Sequence, residues 1–169
     1  MSEDISWHLL RLKAMSGPDV YDMLALRQAV FMLEQSIPVL DADGRDIDAL
    51  HLCGRGAEGL LAYARIFAPG EDHDEVKIGR VVVAASVRGQ GLGRELMEQA
   101  LDCAADLAPD APVLVSAQAH LAAFYESLGF TVDGEIYDDH GVPHVDMVRY
   151  PPEDDREEED LADGPISEA

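Results

Sequence analysis

A glycine-rich loop between a β-branched strand and an amphipathic helix constrains the fold of this chain most. The segment Val76–Val83 is rich in valine and predicts a central strand. The loop after it has glycine at positions 89, 91 and 93, and apolar residues then recur at helical spacing from 93 to 107. Glycine lets a ligand approach the backbone closely, and the first amides of a helix lack intrahelical partners. The pattern therefore predicts an anion-binding site where this helix begins.

Three kinds of phosphate-binding loop have glycine patterns of this type. A Walker A loop requires Gly-Lys-Ser/Thr, which does not occur in the chain. A dinucleotide fingerprint requires GxGxxG and an acidic residue about 20 residues later. The spacing here is GxGxG, and the next predicted strand ends in Ala117-Gln118. A coenzyme A pyrophosphate loop is the third kind, and the position between strand and helix favours it.

Strand and helix patterns alternate along the rest of the chain. Strand patterns lie at residues 7–12, 51–54, 60–67 and 113–117, a closing hairpin at 136–150, and helix patterns begin at Gly17-Pro18 and at residue 121. This order predicts an α/β fold of mixed α+β type with at least one strand-helix-strand unit. Residues 1–150 are expected to form one domain, and residues 151–169 an acidic, disordered C-terminal tail.

The chain is strongly acidic, with 34 Asp and Glu against 12 Lys and Arg and a net charge of −22. Such a field repels nucleic acid and anionic membrane surfaces, so neither is an expected partner. Only Lys13 and Lys77 are lysines. Acid enrichment with scarce lysine suggests an acidic proteome at very high salt, that of a halophile, where screening relieves the self-repulsion.

The sequence predicts a cytoplasmic protein without a metal site. No apolar run reaches the roughly 18 residues of a membrane span, and the N-terminus lacks the pattern of a signal peptide. Cys53 and Cys103 have no metal-ligand spacing and are expected to be buried thiols rather than a disulfide. The aspartates at 41, 43, 46 and 48 lack the glycine and glutamate positions of an EF-hand. We expect them to form an acidic loop that attracts a cationic amine.

Two runs of residues resemble motifs of the GNAT acetyltransferase superfamily. Arg88-x-x-Gly91-x-Gly93 after a strand resembles its motif A, and residues 117–130 resemble its motif B. Further segments resemble the ElaA-type branch of the superfamily, namely Leu26-Arg27-Gln28-Ala29-Val30-Phe31, Glu34-Gln35, Asp43 with Asp46, His51-Leu52, Gly79-Arg80-Val81 and Val142-Pro143-His144. The ordered combination spans roughly residues 7 to 150.

The resemblance implies a GNAT-like fold, in which helices flank a central, mixed, mostly antiparallel sheet with splayed central strands. It implies acetyl-CoA as the co-substrate and no metal. The backbone of the strand would bind the pantetheine arm, and the loop amides would bind the pyrophosphate. The cofactor-binding residues implied in this way are Val81, Val82, Val83, Arg88, Gly89, Gln90, Gly91, Leu92, Gly93 and Arg94. Gln118 is included, although many relatives have Asn there, which leaves its contact with the pantetheine open.

The activity implied is N-acetyl transfer by direct attack of a primary amine on the thioester. Tyr125 matches the tyrosine that protonates the leaving thiolate, and a phenol stays protonated near neutral pH. The alternative is a non-catalytic acyl-CoA-binding module that regulates a partner. Many members of the superfamily pair, so the resemblance also allows a homodimer.

The general base and the acceptor contacts are predicted from the same resemblance. Glu34 is the first candidate for the base, with His51 and His144 as alternatives, since imidazole titrates near neutral pH. Substrate contacts are expected from Arg27, Gln35, His51 and His144. The acceptor itself is not identified, because acceptor specificity depends on variable loops.

Overall fold

The computed structural model describes residues 4–37 and 39–152 of the 169. Its strands are β1 (Ser6–Arg11), β2 (Leu50–Gly56), β3 (Gly59–Phe67), β4 (Val76–Val83), β5 (Val113–Gln118), β6 (Thr131–Val132), β7 (Tyr137–Asp139) and β8 (Val142–Arg149). Its α-helices are α1 (Gly17–Arg27), α2 (Leu92–Leu107) and α3 (Ala122–Glu126). The predicted acidic tail lies outside the described residues from position 153 onward, so its disorder stays a prediction.

All eight strands belong to one sheet with the order β1-β2-β3-β4-β5-β8-β6, and β7 pairs with β8. Every neighbouring pair is antiparallel except β4 and β5, which are parallel and joined through α2. A parallel pair needs such a crossover connection. The predicted mixed, mostly antiparallel sheet with one strand-helix-strand unit is confirmed.

Helix α2 covers one side of the sheet and begins one residue before its predicted start. Its inward residues Leu96, Met97, Ala100 and Ala104 are buried in the larger core cluster. They recur at intervals of three or four residues, which places them on one side of the helix. Burying Leu96 or Met97 contributes about 1.5–3 kcal/mol each, so this packing fixes the helix, and with it the glycine loop, against the sheet.

Helix α1 packs on the opposite side of the sheet. Ser16 caps it by accepting a hydrogen bond from the Asp19 amide at 3.2 Å, and Pro18 lies in its first turn. Its buried Met23 contacts a second core cluster that includes Tyr63 of β3. The neighbours of Tyr63 along β3 lie in the larger cluster, as strand alternation requires. A π-helical segment, Gln28–Glu34, extends α1 and was not predicted.

The remaining predictions differ from the structure in small ways. The closing hairpin is present as β7 and β8, whereas the two-residue strand β6 was not predicted. Cys53 and Cys103 are both free, and Cys53 is buried. Among the helices of residues 4–37 and 39–152, none has the length and apolar character that crossing a bilayer requires.

Candidate active site

The two parallel strands at the centre of the sheet separate after three residue pairs. Residues 76–78 of β4 pair with residues 113–115 of β5, although the strands continue to Val83 and Gln118. A cavity of about 410 Å³ is lined by the last pair, Ile78 and Val115, and by residues beyond it. The splayed central strands implied by the resemblance are therefore present.

A β-bulge turns strand β4 at the cavity. Tyr63 of β3 pairs with Val82 and Arg65 with Gly79, so two residues of β4 oppose Ala64. One of them, Arg80, has a φ of 49°, which is uncommon for a residue with a side chain. Bulges bend a strand and redirect its side chains. Residues 79–81 line the cavity as a result.

Strand β5 and three other segments supply the rest of the cavity wall. The lining residues are Phe31, Gln35, Ile37, Val39, Leu40 and Asp41 after α1, Leu121 and Tyr125 near α3, Ser116 and Gln118 of β5, and Asp139, His140 and His144 of the closing hairpin. The segment after α1 is mostly apolar, whereas the hairpin carries titratable side chains. A bound acceptor would contact both kinds of surface.

Tyr125 lies on α3 and contributes to the cavity wall. It is 6 % exposed, and its ring packs edge-to-face against Phe124 and Phe130, with centroid distances of 5.2 and 5.8 Å. These contacts fix the direction of the ring. Burial raises the pKa of Tyr125 to about 12, so the phenol stays protonated at neutral pH. Within the described residues its hydroxyl has no hydrogen-bond partner, which leaves the proton free for a ligand.

The glycine loop connects the end of β4 with the start of α2. Gly89 and Gly91 both have a φ of +80°, and a Cβ built on either would meet nothing within 4 Å. The left-handed backbone therefore requires glycine, and the space beside it is open. The Glu95 backbone amide donates to the Gly91 carbonyl at 3.2 Å and makes the first hydrogen bond of the helix. The amides of residues 92–94 come before it and have no partner within the helix. The predicted anion site has the necessary backbone geometry.

The residues predicted around this loop have different surroundings. Val81 lines the cavity, whereas the Val82 side chain is buried in the second core cluster. The Arg94 guanidinium lies 5.8 Å from the centroid of the Phe124 ring and donates to Ser127 Oγ. Arg94 therefore joins α2 to α3.

Arg88 and Glu34 form an ion pair across the loop. Arg88 Nη2 donates to Glu34 Oε2 at 3.0 Å, Nη1 donates to Oε1, and Nε donates to the Val83 carbonyl at 3.1 Å. The hydrogen bonds from Arg88 lower the pKa of Glu34. Glu34 is also absent from the cavity lining of the described residues. Glu34 as the base stays a prediction, and the structure gives it a lowered pKa and a place beside Arg88 rather than in the cavity wall.

Three arginines neutralise the acidic loop that follows α1. Arg27 donates to Asp41 at 2.6 Å and to Asp46 at 2.7 Å. The whole set, called here the arginine–aspartate cluster, consists of Arg27, Arg65, Arg80, Asp41, Asp43 and Asp46. Asp41, Asp43 and Asp46 of the loop expected to attract an amine are therefore paired, whereas Asp48 is exposed and lies outside the cluster. Arg27 is 0 % exposed, and this geometry does not favour its predicted contact with the substrate.

His51 is likewise not among the described residues that line the cavity. It is 0 % exposed, with Nε2 2.8 Å from the Asp46 carbonyl and Nδ1 2.6 Å from the Tyr63 hydroxyl. A carbonyl only accepts, so Nε2 carries the proton and Nδ1 accepts from Tyr63. Burial lowers the pKa of His51. Both ring nitrogens are therefore bonded within the protein, and this geometry does not favour His51 as a substrate contact or alternative base.

The other predicted residues meet at the cavity. Gln35, Gln118 and His144 all line it together with Tyr125. Sequence reasoning did not select Arg80, Ser116 or Asp139, although the Gly79-Arg80-Val81 segment was part of the branch resemblance. In residues 4–37 and 39–152, no group of three or more histidine, cysteine or acidic side chains is arranged to hold a metal ion.

Comparison with known proteins gives both a family model and close relatives. The model of the acetyltransferase (GNAT) domain matches residues 57–150. Protein ElaA of Escherichia coli is 42% identical over 147 residues, which are 86% of this chain and 96% of ElaA. A UPF0039 protein of Synechocystis is 42% identical over 151 residues, 88% of this chain and 98% of that protein.

Solved structures have the same architecture. The crystal structure of an acyl-CoA N-acyltransferase from Pseudomonas aeruginosa is similar with a TM-score of 0.83 at 40% identity, covering 86% of this chain and 99% of that one. The crystal structure of Escherichia coli ElaA has a TM-score of 0.81 at 42% identity with the same coverage. The likeness extends over almost the full length of both proteins.

Proposed function

The chain belongs to the GNAT acetyltransferase family, in the branch that contains ElaA, and on this premise we propose that it transfers an acetyl group from acetyl-CoA to a primary amine. One arrangement carries the proposal. Strand β4 leads from a cavity that contains Tyr125 into the glycine loop at the start of α2. Strand β4 therefore runs between the proposed anion site in the loop and the cavity whose wall includes the Tyr125 phenol.

The residues present fit an acyl-CoA. The loop amides of residues 89–94 would hold the pyrophosphate, since a Cβ is missing at the two positions where the backbone is left-handed. The backbone of residues 81–83 extends beyond the last pair with β5 and would hold the pantetheine amides. Gln118 lines the same cavity. Acetyl-CoA, when bound, supplies the thioester that the amine attacks.

Tyr125 would act as the general acid. The amine nitrogen forms a bond to the carbonyl carbon, the carbon–sulfur bond breaks, and the thiolate takes the phenolic proton. A pKa of about 12 keeps that proton in place until negative charge develops. Desolvation beside the phenol would also raise the pKa of the leaving thiol, so the thiolate would accept a proton more readily there than in water.

The test is thiol release from acetyl-CoA with a panel of amines, comprising a polyamine, an aminosugar, an amino acid and a peptide N-terminus. We expect Tyr125→Phe to lower kcat by about 10²–10⁴-fold while the Kd for acetyl-CoA stays within a few-fold of wild type. Tyr21→Phe is the matched control, since Tyr21 lies exposed on α1.

Two outcomes would reject parts of this proposal. Unchanged turnover of Tyr125→Phe would remove the acid role. Binding of acetyl-CoA without thiol release for any amine would favour the non-catalytic acyl-CoA-binding module. Nucleic acid is not an expected acceptor, because the net charge of −22 repels it.

A further inference from the structure

We propose that His144 is the general base that takes a proton from the acceptor ammonium, an inference that rests on the proposed acetyl transfer. His144 lies in β8 and is paired with Gln118 of β5 on one side and with Tyr137 of β7 on the other. It is half-buried and lines the same cavity as Tyr125. Tyr125 and His144 therefore reach the same cavity from different elements.

The backbone selects the tautomer of His144 that a base requires. Its Nδ1 lies 2.8 Å from the Val142 carbonyl oxygen. A carbonyl oxygen only accepts hydrogen bonds, so Nδ1 carries the proton and Nε2 has the free lone pair. Within the described residues, no hydrogen bond uses this Nε2. His51 has the opposite arrangement, with both nitrogens already bonded.

A polar chain on the neighbouring strands holds the imidazole ring. The ring stacks on Tyr137 with a centroid distance of 6.1 Å and an interplanar angle of 27°. Tyr137 donates its hydroxyl proton to Asp146 at 2.8 Å and is hydrogen-bonded to Ser116 Oγ. Because Ser116, Tyr137 and Asp146 lie on three different strands, the ring is supported by the sheet rather than by a loop.

The charged and titratable groups around the His144 ring belong to the cavity wall. Titratable or charged groups that line it with His144 are Tyr125, Asp139, His140, Arg80 and Asp41, and Tyr137 lies against the ring. Arg80 and Asp41 are paired with each other at 2.7 Å. His140 Nε2 lies 3.6 Å from Asp139. His140 is a second lining imidazole without a hydrogen bond among the described residues, but it is exposed, whereas His144 is half-buried and held by the Val142 carbonyl and the Tyr137 ring.

The proposed step balances as follows. Nε2 takes one proton from the ammonium, and the amine lone pair that this frees attacks the carbonyl carbon. The carbon–sulfur bond then breaks, the thiolate takes the Tyr125 proton, and the second proton that the nitrogen loses in forming the amide restores the phenol. The imidazolium at His144 later returns its proton to solvent.

The test compares His144→Gln with wild type in kcat/KM against pH and in the Kd for acetyl-CoA. At pH 7 we expect kcat/KM to fall by about 10²–10⁴-fold with an acetyl-CoA Kd within a few-fold of wild type. The deficit should shrink toward alkaline pH, where the amine arrives without its extra proton. A structural role would not produce this convergence. His8→Gln is the matched control, since His8 is exposed on β1 at the far edge of the sheet.

A second variant, Tyr137→Phe, keeps the stacked ring but removes the hydroxyl that holds it, so a smaller loss of kcat with the same pH trend is expected. Wild-type kcat/KM in His144→Gln at every pH would overturn the assignment, and so would a loss that does not change with pH. In either case an active wild type leaves the acetyl-transfer proposal intact. A wild-type chain that binds acetyl-CoA but acetylates no amine rejects both proposals.

Discussion

Replacing Arg27 with methionine tests whether the arginine–aspartate cluster holds the acceptor side of the cavity in place. The guanidinium donates to the side chains of Asp41 and Asp46 and, at 3.2 Å, to the Asp41 carbonyl. Methionine keeps an unbranched apolar chain and removes the charge and all three hydrogen bonds. Since Asp41 also lines the cavity with Leu40, the change loosens a segment that the acceptor would contact.

The expected magnitude follows from what remains of the cluster. Removing one partner of a buried ion pair costs about 3–5 kcal/mol. Asp41 keeps Arg80 at 2.7 Å, and Asp46 keeps Arg65 at 3.2 Å, so the cost should lie near the lower limit, about 3 kcal/mol. In a domain of this size, 1 kcal/mol shifts Tm by about 2–4 °C. We therefore expect Arg27→Met to melt about 6–12 °C below wild type.

Thermal melts by circular dichroism and urea unfolding measure the effect. Asp48→Asn is the matched control, because Asp48 is exposed in the same loop and should change stability by no more than about 0.5 kcal/mol. Arg27→Lys keeps the charge but lacks the planar set of donors, so its Tm should lie between those of wild type and Arg27→Met. A Tm of Arg27→Met within about 2 °C of wild type would refute the role assigned to the cluster.

Two further outcomes are expected from the geometry of the cluster and the loop. Hydrogen bonds from Arg65 lower the pKa of Asp43. The ionised carboxylate therefore stabilises the folded state above the usual aspartate pKa, and this contribution is lost as pH falls below about 4. The urea midpoint should drop more steeply with acid in wild type than in Asp43→Asn, and parallel curves for the two proteins would contradict this. Gly91→Ala forces a side chain onto a left-handed residue, which costs about 1–2 kcal/mol and should weaken acetyl-CoA binding by calorimetry. Gly70→Ala is the control, and equal Kd values for both variants would count against the loop.

The regular elements were predictable because their signals are local. The β-branched run of β4 and the helical spacing of α2 place both elements within one residue of their observed bounds. The π-helical turn after α1 has no comparable local signal, since its residues also suit an ordinary helix. The sequence does not predict the bulge at Arg80 either, because arginine is not a residue type that favours the positive φ observed there.

The site was predictable where function depends on the backbone and unpredictable where it depends on side-chain burial. Gly91 and Tyr125 belong to motifs whose spacing determines their place. For Arg27 and His51, the resemblance marked important positions without showing which way the side chains point. Their partners lie up to 19 residues away on another segment, Asp46 being shared by both. Only the folded loop shows that both side chains are fully buried and bonded to Asp46.

Binding of the proposed diphosphate by so acidic a chain would depend chiefly on backbone amides. The arginines nearest the cavity are already paired, three of them with aspartates and Arg88 with Glu34. An ion pair between exposed side chains contributes little net stability, so a diphosphate can replace Glu34 beside Arg88 at small cost. The helix amides of residues 92–94 need no such exchange, because they precede the first intrahelical hydrogen bond. If acetyl-CoA binds at the loop as proposed, Glu34 is the group that its diphosphate would displace from Arg88.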